Sequence, residues 1–281
     1  MEIERFQLSG GRTLAYRSAG DPARPALLLL HGTPNSSRMF LGVMPRLATA
    51  VHVIAPDLPG HGDSDPLPTA TFDGMADAIG ELLDHLDIGP RYIHLHDWGA
   101  PVGLQIAMQA PAQVLGLVVQ NANAHRSGWG PGWEATRAYW KRPDADNEAA
   151  ATAHLTREGT RDTYLAGLPP ELAARIPAAR WQEDWRVMNR PGHLRTQREL
   201  IADYGRYAGR FDAIAGYLAR WQPRAVLVWG RHDVYFDLPE VLSWMRALPR
   251  MQAHVLDGGH LLLETHGEEA ADIILGFIGR R

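Results

Sequence analysis

The stretch HLHDWGAPVGLQIA, residues 94–107, is typical of a buried strand that turns directly into a helix. An acid, Asp97, lies at the turn and is followed by Trp98 and Gly99. In an open parallel sheet, ligands bind at the carboxyl ends of the strands, and a residue on a sharp turn there points into the crevice. Aspartate is also common as a helix N-cap. The stretch alone therefore does not distinguish a reactive carboxylate from a cap, and other parts of the chain must decide.

Apolar runs of the same kind recur along the chain. Their continuous apolar character, without alternation, indicates strands that are covered on both faces. The runs are PALLLLHG (25–32), VHVIAPD (51–57), RYIHLHD (91–97), VLGLVVQNA (114–122), RAVLVWG (224–230) and, as a shorter candidate, AHVLDGG (253–259). Helical segments are predicted between them at 36–47, 71–86, 98–109, 238–248 and 267–278. This alternation predicts an α/β fold with a mostly parallel sheet flanked by helices.

Two parts of the chain depart from this rhythm. EIERFQL (2–8) and RTLAYRSAG (12–20) are separated by two glycines and predict a hairpin. Residues 125–220 contain no clear apolar strand and are rich in Trp, Tyr, Arg and Ala. We expect a core domain from 1–124 and 221–281, with 125–220 inserted as a helical lid over the C-terminal edge of the sheet.

Composition excludes several classes of function. The chain of 281 residues has no cysteine, so it has no disulfide, no cysteine metal site and no cysteine nucleophile. A net charge of −4 gives no electrostatic reason to expect a nucleic acid or an anionic membrane as partner. The first residues do not resemble a signal peptide and no apolar run approaches 18 residues, so we expect a cytoplasmic protein. Oligomeric state is not readable from the sequence.

Three further motifs can complete a site around Asp97. The loop HGTPNSS (31–37) follows an apolar strand, and the backbone N–H groups of Thr33 and Trp98 are the predicted donors of an oxyanion hole. Asp233 follows another strand in VLVWGRHDVYF, and His260 follows a short strand in LDGGHLLLE. Taken singly, Asp233 is as well explained as a solvated turn aspartate, and His260 as a structural histidine. Together they give the order nucleophile, acid, histidine.

The sequence resembles the α/β-hydrolase superfamily, in its branch of epoxide hydrolases and haloalkane dehalogenases. The motifs that carry the resemblance are HGTP, DLPGHGDSD (57–65), HDWG, WGRHD and GGH, in the core regions on either side of the lid. The resemblance implies Asp97 as nucleophile, His260 as base and Asp233 as the acid that orients the base. It implies no metal and no organic cofactor, and the 13 histidines include no HExxH motif.

An aspartate nucleophile suits attack at an sp³ carbon that bears a leaving group. The product would be an alkyl ester of Asp97, which water activated by His260 would cleave through an oxyanion held by Thr33 and Trp98. Asp233 would fix the imidazole tautomer. We therefore expect a small apolar or amphipathic organic substrate.

The leaving group separates two candidate activities. An epoxide needs an acid, and the position of Tyr204 resembles that of the lid tyrosine in epoxide hydrolases, and in fluoroacetate-dehalogenase-like relatives too. Tyr164 is a candidate partner. A halide needs N–H donors, for which Trp98 fits, but Thr33 stands where dehalogenases commonly carry Asn. Aromatic side chains in the lid could line a pocket, bind the lid to the core or donate to a halide; the tryptophans are Trp129, Trp133, Trp140, Trp181 and Trp185.

We predict an epoxide hydrolase that forms vicinal diols. The alternative is a haloalkane or haloacid dehalogenase. A more remote alternative is a non-catalytic binding protein with a hydrolase fold, since a fold alone does not guarantee activity. An acyl hydrolase is poorly supported, because no serine occupies the turn.

Overall fold

The computed structural model describes residues 1–280, apart from the side chain of Pro131. Within that range the strands form one sheet with the order β1-β2-β4-β3-β5-β6-β7-β8. The first two strand pairs in this order, β1 with β2 and β2 with β4, are antiparallel, and the other neighbours are parallel. The strands are β1 (Glu4–Gln7), β2 (Thr13–Ala19), β3 (Ala26–Leu30), β4 (His52–Pro56), β5 (Arg91–His96), β6 (Val114–Gln120), β7 (Ala225–Gly230) and β8 (Gln252–Leu256). The predicted hairpin and parallel sheet are confirmed.

Helices cover both faces of this sheet and fill the segment between β6 and β7. They are α1 (Met44–Leu47), α2 (Phe72–His85), α3 (Gly99–Gln109), α4 (Glu134–Lys141), α5 (Ala145–Thr152), α6 (Arg157–Leu165), α7 (Pro170–Ala173), α8 (Ala179–Met188), α9 (His193–Ala208), α10 (Phe211–Trp221), α11 (Leu238–Ala247) and α12 (Leu263–Gly279). None of these helices is long and apolar enough to span a bilayer.

The core has two layers, as continuous apolar strands predict. Leu28 and Leu30 of β3 pack on the side of α2, α3, α10 and α11, whereas Leu27 and Leu29 pack on the side of α1 and α12. Successive side chains of a strand point to opposite faces, so one apolar run supplies both layers.

The helices α4 to α9 lie in the segment predicted as a lid, between β6 and β7. The helix α10 also falls within 125–220, apart from its last residue, but it packs against α3 and α11 of the core.

One helix prediction was wrong in its bounds. The segment 36–47 is not one helix but a 3₁₀ turn, Ser37–Phe40, followed by α1. Pro45 has no N–H to donate and is tolerated only in the first turn, so a helix containing it must begin close to it. The last predicted helix, 267–278, matches the part of α12 that follows a kink at His266 (φ −129°, ψ 32°), and the turn from Leu263 that precedes the kink was not predicted.

The turn after β5 requires a close approach of α3 to the sheet. A Cβ at Gly99 would lie 2.5 Å from the carbonyl oxygen of Leu30, a contact that real Cβ atoms do not make. The glycine therefore allows the first turn of α3 to lie directly on β3, which is the geometry that holds Asp97 at the end of β5.

Replacing this glycine tests the packing. Gly99→Ala is expected to lower the free energy of unfolding by about 1–3 kcal/mol, because the methyl group collides with backbone that cannot move aside. Gly80→Ala, inside α2, is the matched control, since an added Cβ there meets nothing within 4 Å. It is expected to stabilise by about 0.4–1 kcal/mol. Denaturant unfolding of the two variants and the wild type measures both changes; equal stability of Gly99→Ala and the wild type would contradict the packing.

Candidate active site

Asp97 lies on the turn between β5 and α3 with a left-handed backbone conformation (φ +46°). Its N–H donates to the carbonyl oxygen of Asn121 at 3.2 Å, and its own carbonyl accepts from Ala100 N–H at 3.0 Å. The residue is buried, with 6% of its surface exposed. Positive φ in a residue other than glycine is uncommon and marks a backbone held by its surroundings, often at a functional site.

The structure brings Asp97, Asp233 and His260 together. His260 Nδ1 lies 2.9 Å from Asp233 Oδ2, and His260 Nε2 lies 3.7 Å from Asp97 Oδ2. The other oxygen of Asp233 accepts the backbone N–H groups of Tyr235 and Phe236 at 2.7 and 3.2 Å. Asp233 is thus acceptor for the Nδ1–H of the imidazole, which leaves Nε2 directed towards Asp97.

The predicted N–H donors also reach Asp97. Thr33 N–H donates to Asp97 Oδ1 at 2.8 Å. A Cβ at Gly32 would lie 2.2 Å from the same oxygen, so only a glycine allows the loop after β3 to come this close. Trp98 begins α3 as its N-cap residue, and its backbone N–H also stabilises the carboxylate.

In this cluster, Asp97 and His260 each shift the pKa of the other. Burial raises the pKa of Asp97, although the charge of His260 and the N–H groups of Thr33 and Trp98 act in the opposite direction. Burial lowers the pKa of His260, but the charge of Asp233, its hydrogen bond and the charge of Asp97 outweigh this, and the pKa of His260 is raised. Any reaction that neutralises Asp97 therefore removes one of the influences that keep a proton on His260.

Asn121, which we did not predict as a site residue, links the loops that carry the two acids. It follows β6 with φ +40°. Its Nδ2 donates to Asp233 Oδ2 at 2.8 Å, its Oδ1 accepts Gly230 N–H at 2.9 Å, and its carbonyl accepts the N–H of Asp97. The signal was available, because a polar residue at the carboxyl end of an apolar strand lies at the same edge of the sheet as Asp97.

A cavity of about 290 Å³ lies between the core and the lid. The lining residues are Thr33, Asp97, Trp98, Gly132, Trp133, Ala135, Thr136, Ala150, Ala151, Ala153, His154, Thr163, Ile201, Tyr204, Tyr235 and His260. No Arg or Lys is among them. Across residues 1–280, no three histidine and acidic side chains are gathered as ligands of a metal would be.

The two predicted tyrosines have different positions. Tyr204 of α9 lines the cavity, and its hydroxyl donates to Asn123 Oδ1 over a long 3.4 Å. Burial raises the pKa of Tyr204 well above its usual value, and the charges of Tyr207 and Asp97 add to the effect. The hydroxyl is therefore protonated and only weakly held.

The prediction for Tyr164 needs correction, because this side chain does not line the cavity. Its hydroxyl donates to Asp184 Oδ2 at 2.5 Å and accepts from Asn35 Nδ2 at 2.8 Å. The buried carboxylate of Asp184, twenty residues further on in α8, captures the phenol, and no local pattern in the sequence predicts that contact.

Tyr235 takes the second tyrosine position in the lining and was missed. It follows Asp233 by two residues, packs its ring 5.0 Å from that of His260 and donates to Thr163 Oγ1 at 3.4 Å. The indole N–H groups of Trp133 and Trp140 donate to the carbonyl oxygens of Tyr235 and Ile201. Among the lid tryptophans, Trp133 lines this cavity, whereas Trp129, Trp140, Trp181 and Trp185 lie outside its lining.

The raised pKa of Asp97 predicts a stability effect. Above this pKa, ionised Asp97 destabilises the fold, and the penalty disappears as pH falls through the raised pKa because the folded state takes up the proton first. Asp97→Asn is therefore expected to raise the free energy of unfolding at pH 8 by about 0.5–2 kcal/mol, with the gain shrinking on acidification.

Asp57→Asn is the matched control for this measurement by denaturant unfolding at several pH values. Asp57 is also buried, but its two oxygens accept the N–H groups of Ser37 and Asp63 at 2.7 and 2.8 Å. An amide can accept only one of them, so this variant is expected to lose stability. A loss of stability in Asp97→Asn at pH 8 would contradict the burial penalty.

Known proteins resemble this chain over nearly its whole length. Residues 25–267 match the family model described as alpha/beta hydrolase fold. An uncharacterised hydrolase of Saccharomyces cerevisiae is 31% identical over 97% of this chain and 96% of its own. A haloalkane dehalogenase of Sphingobium indicum is 25% identical over 96% and 93%.

Solved structures support the same architecture. An epoxide hydrolase solved without ligand superposes with a TM-score of 0.79 over 99% of both chains, at 23% identity. At that identity the likeness establishes the fold. Because the family model spans most of the chain and the yeast hydrolase matches it end to end, this protein belongs to the alpha/beta hydrolase family.

Proposed function

We propose that this hydrolase is an epoxide hydrolase in which Asp97 forms a covalent ester with the substrate. The observation that carries the proposal is that Asp97, His260 and Tyr204 line one cavity, and that Asp233 is hydrogen-bonded to His260. A nucleophilic carboxylate and a protonated acid in the same pocket are what epoxide opening requires.

In the first step, an oxygen of Asp97 attacks an epoxide carbon. The new C–O bond forms as the C–O bond to the ring oxygen breaks, and that oxygen takes the proton of the Tyr204 hydroxyl. The raised pKa of Tyr204 keeps the phenol protonated before the reaction and makes the phenolate left behind a strong base. The product of this step is a hydroxyalkyl ester of Asp97.

In the second step, water attacks the ester carbonyl while His260 Nε2 takes its proton. Asp97 is now uncharged, so one influence that raised the pKa of His260 is gone and more of the imidazole is in the neutral form that can accept a proton. The N–H groups of Thr33 and Trp98 stabilise the oxyanion. On collapse, the bond from the ester carbon to the alkoxy oxygen breaks, and that oxygen takes the remaining proton of the added water, which releases the diol and the Asp97 carboxylate. Transfer of the proton on His260 to the Tyr204 phenolate restores both side chains.

The lining indicates the class of substrate. It has no Arg or Lys to pair with a carboxylate, so a haloacid or other anion is a poor fit and a neutral molecule is favoured. The lining includes four tryptophan or tyrosine side chains and four alanines, and about 290 Å³ lies just below the roughly 300–1,000 Å³ of ligand sites. We propose a small, neutral, largely apolar epoxide.

Haloalkane dehalogenation is the second candidate, favoured by Trp98 in the lining and by the dehalogenase among the relatives. A halide needs at least two N–H donors pointed at one place. The indole of Trp133 is occupied by the carbonyl of Tyr235, and no asparagine follows Gly32. Tyr204 would then have no proton to transfer, because a halide departs without one.

The test is intact-protein mass spectrometry of His260→Gln after exposure to terminal epoxides and to alkyl halides. Without a base the ester should persist, so an added mass equal to the whole epoxide is expected. The control Asp97→Asn/His260→Gln should gain no mass. Adducts only from alkyl halides, lacking the halogen, would replace this proposal with dehalogenation, and no adduct on the folded protein would overturn both.

Tyr204→Phe is expected to slow the first step with epoxides by about 10²–10⁴-fold, the contribution of a general acid. Alkyl halides that react at all should be unaffected, because halide departs without a proton. Tyr217→Phe is the control: its hydroxyl is buried in α10 without a hydrogen-bond partner, so its loss should leave the rate unchanged. Single-turnover rates measure this; wild-type ester formation in Tyr204→Phe would remove Tyr204 from the mechanism.

A further inference from the structure

A lid residue outside the proposed chemistry holds the loop that carries Thr33. The hydroxyl of Thr33 donates to Gln197 Oε1 at 2.6 Å. Gln197 lies on α9 of the lid and has 1% of its surface exposed. The backbone N–H of the same threonine donates to Asp97. One residue of the loop thus joins the lid to the reacting carboxylate.

The amide of Gln197 has a fixed orientation, because its other end is also committed. Its Nε2 donates to His61 Nε2 at 3.0 Å, and His61 Nδ1 faces the carbonyl oxygen of Pro59 at 3.3 Å. Burial lowers the pKa of His61 well below its usual value, so the ring is neutral, with its proton on Nδ1 and Nε2 as acceptor. Gln197 Oε1 is then the only end of the amide available to accept from Thr33.

The same helix carries Tyr204, seven residues after Gln197. Residues seven apart lie on one face of an α-helix, two turns from each other. The helix α9 therefore presents an acid to the cavity with one residue and fixes an oxyanion donor with another. A second contact supports the loop, because Asn35 donates to Tyr164 and Asp184 of the lid at 2.8 Å each.

We propose that Gln197 is a positioning residue for the second step of the reaction. This inference rests on the proposed function. In the resting enzyme, the N–H of Thr33 stabilises the carboxylate before it attacks, so a loosened loop does not slow ester formation. In ester hydrolysis the same N–H stabilises the oxyanion, and its exact position then matters. Loss of Gln197 should slow hydrolysis and spare alkylation.

The experiment compares both rate constants in Gln197→Leu and the wild type, by rapid quench and intact-protein mass spectrometry with a terminal epoxide. Hydrolysis of the ester is expected to slow at least about 10-fold, less than the 10²–10³ lost when an oxyanion donor is removed outright. Ester formation should change less than about threefold, because the carboxylate is still free to attack. The fraction of enzyme present as ester at steady state should rise.

Three variants make the result specific. Thr33→Val breaks the same hydrogen bond from the core side and should reproduce the effect, even if Gln197→Leu folds poorly. The double variant should be no slower than either single variant, because both remove one interaction. Arg198→Leu, at the exposed next position of α9, should match the wild type.

Two negative results have different meanings. Wild-type hydrolysis of the ester in both Gln197→Leu and Thr33→Val would overturn the role of Gln197 and leave the proposed function intact. Equal slowing of ester formation and hydrolysis would also overturn it, since that indicates general damage to the site. Absence of any ester in the wild type and in His260→Gln would overturn the proposed function, and this inference with it.

Discussion

A carboxylate buried among apolar strands is the constraint on which the rest of the site depends. Charge at Asp97 is costly there, and the surrounding elements offset that cost with specific contacts: the Thr33 and Trp98 N–H groups and the ring of His260. The same arrangement demands close packing. Gly99 lets α3 lie on β3, Gly32 lets the loop reach the carboxylate, and Asn121 ties the turn to the loop that carries Asp233.

The parts of this arrangement nearest the sheet could be predicted from the sequence. The apolar runs identify the parallel strands, and Asp97, Asp233 and His260 each follow one closely, so the topology of the sheet brings them to one edge. The position of the Tyr164 side chain could not be predicted, because its contact with Asp184 depends on how two lid helices pack. Tyr235 was missed for a related reason: its inclusion in the lining depends on how the lid closes over its loop.

The lid has two roles that the core cannot fulfil alone. In the proposed mechanism it closes a cavity that has no Arg or Lys to bind an anion, and through α9 it contributes both Tyr204 and Gln197. The positions of the proposed acid, Tyr204, and of the proposed oxyanion donor, Thr33, therefore both depend on the position of α9. A substrate that binds against α9 would therefore affect both ester formation and ester hydrolysis. The motif DLPGHGDSD has a structural role, because its His61 orients the amide of Gln197.

The most direct test of covalent attack by Asp97 is a single turnover in water enriched in ¹⁸O, with enzyme in excess over a terminal epoxide. If Asp97 attacks, the diol takes one oxygen from the epoxide and the other from the unlabelled carboxylate. The first-turnover diol should then carry no label, and the peptide containing Asp97 should gain one heavy oxygen. A labelled diol from the first turnover, with no label in that peptide, would show that water attacks the epoxide directly.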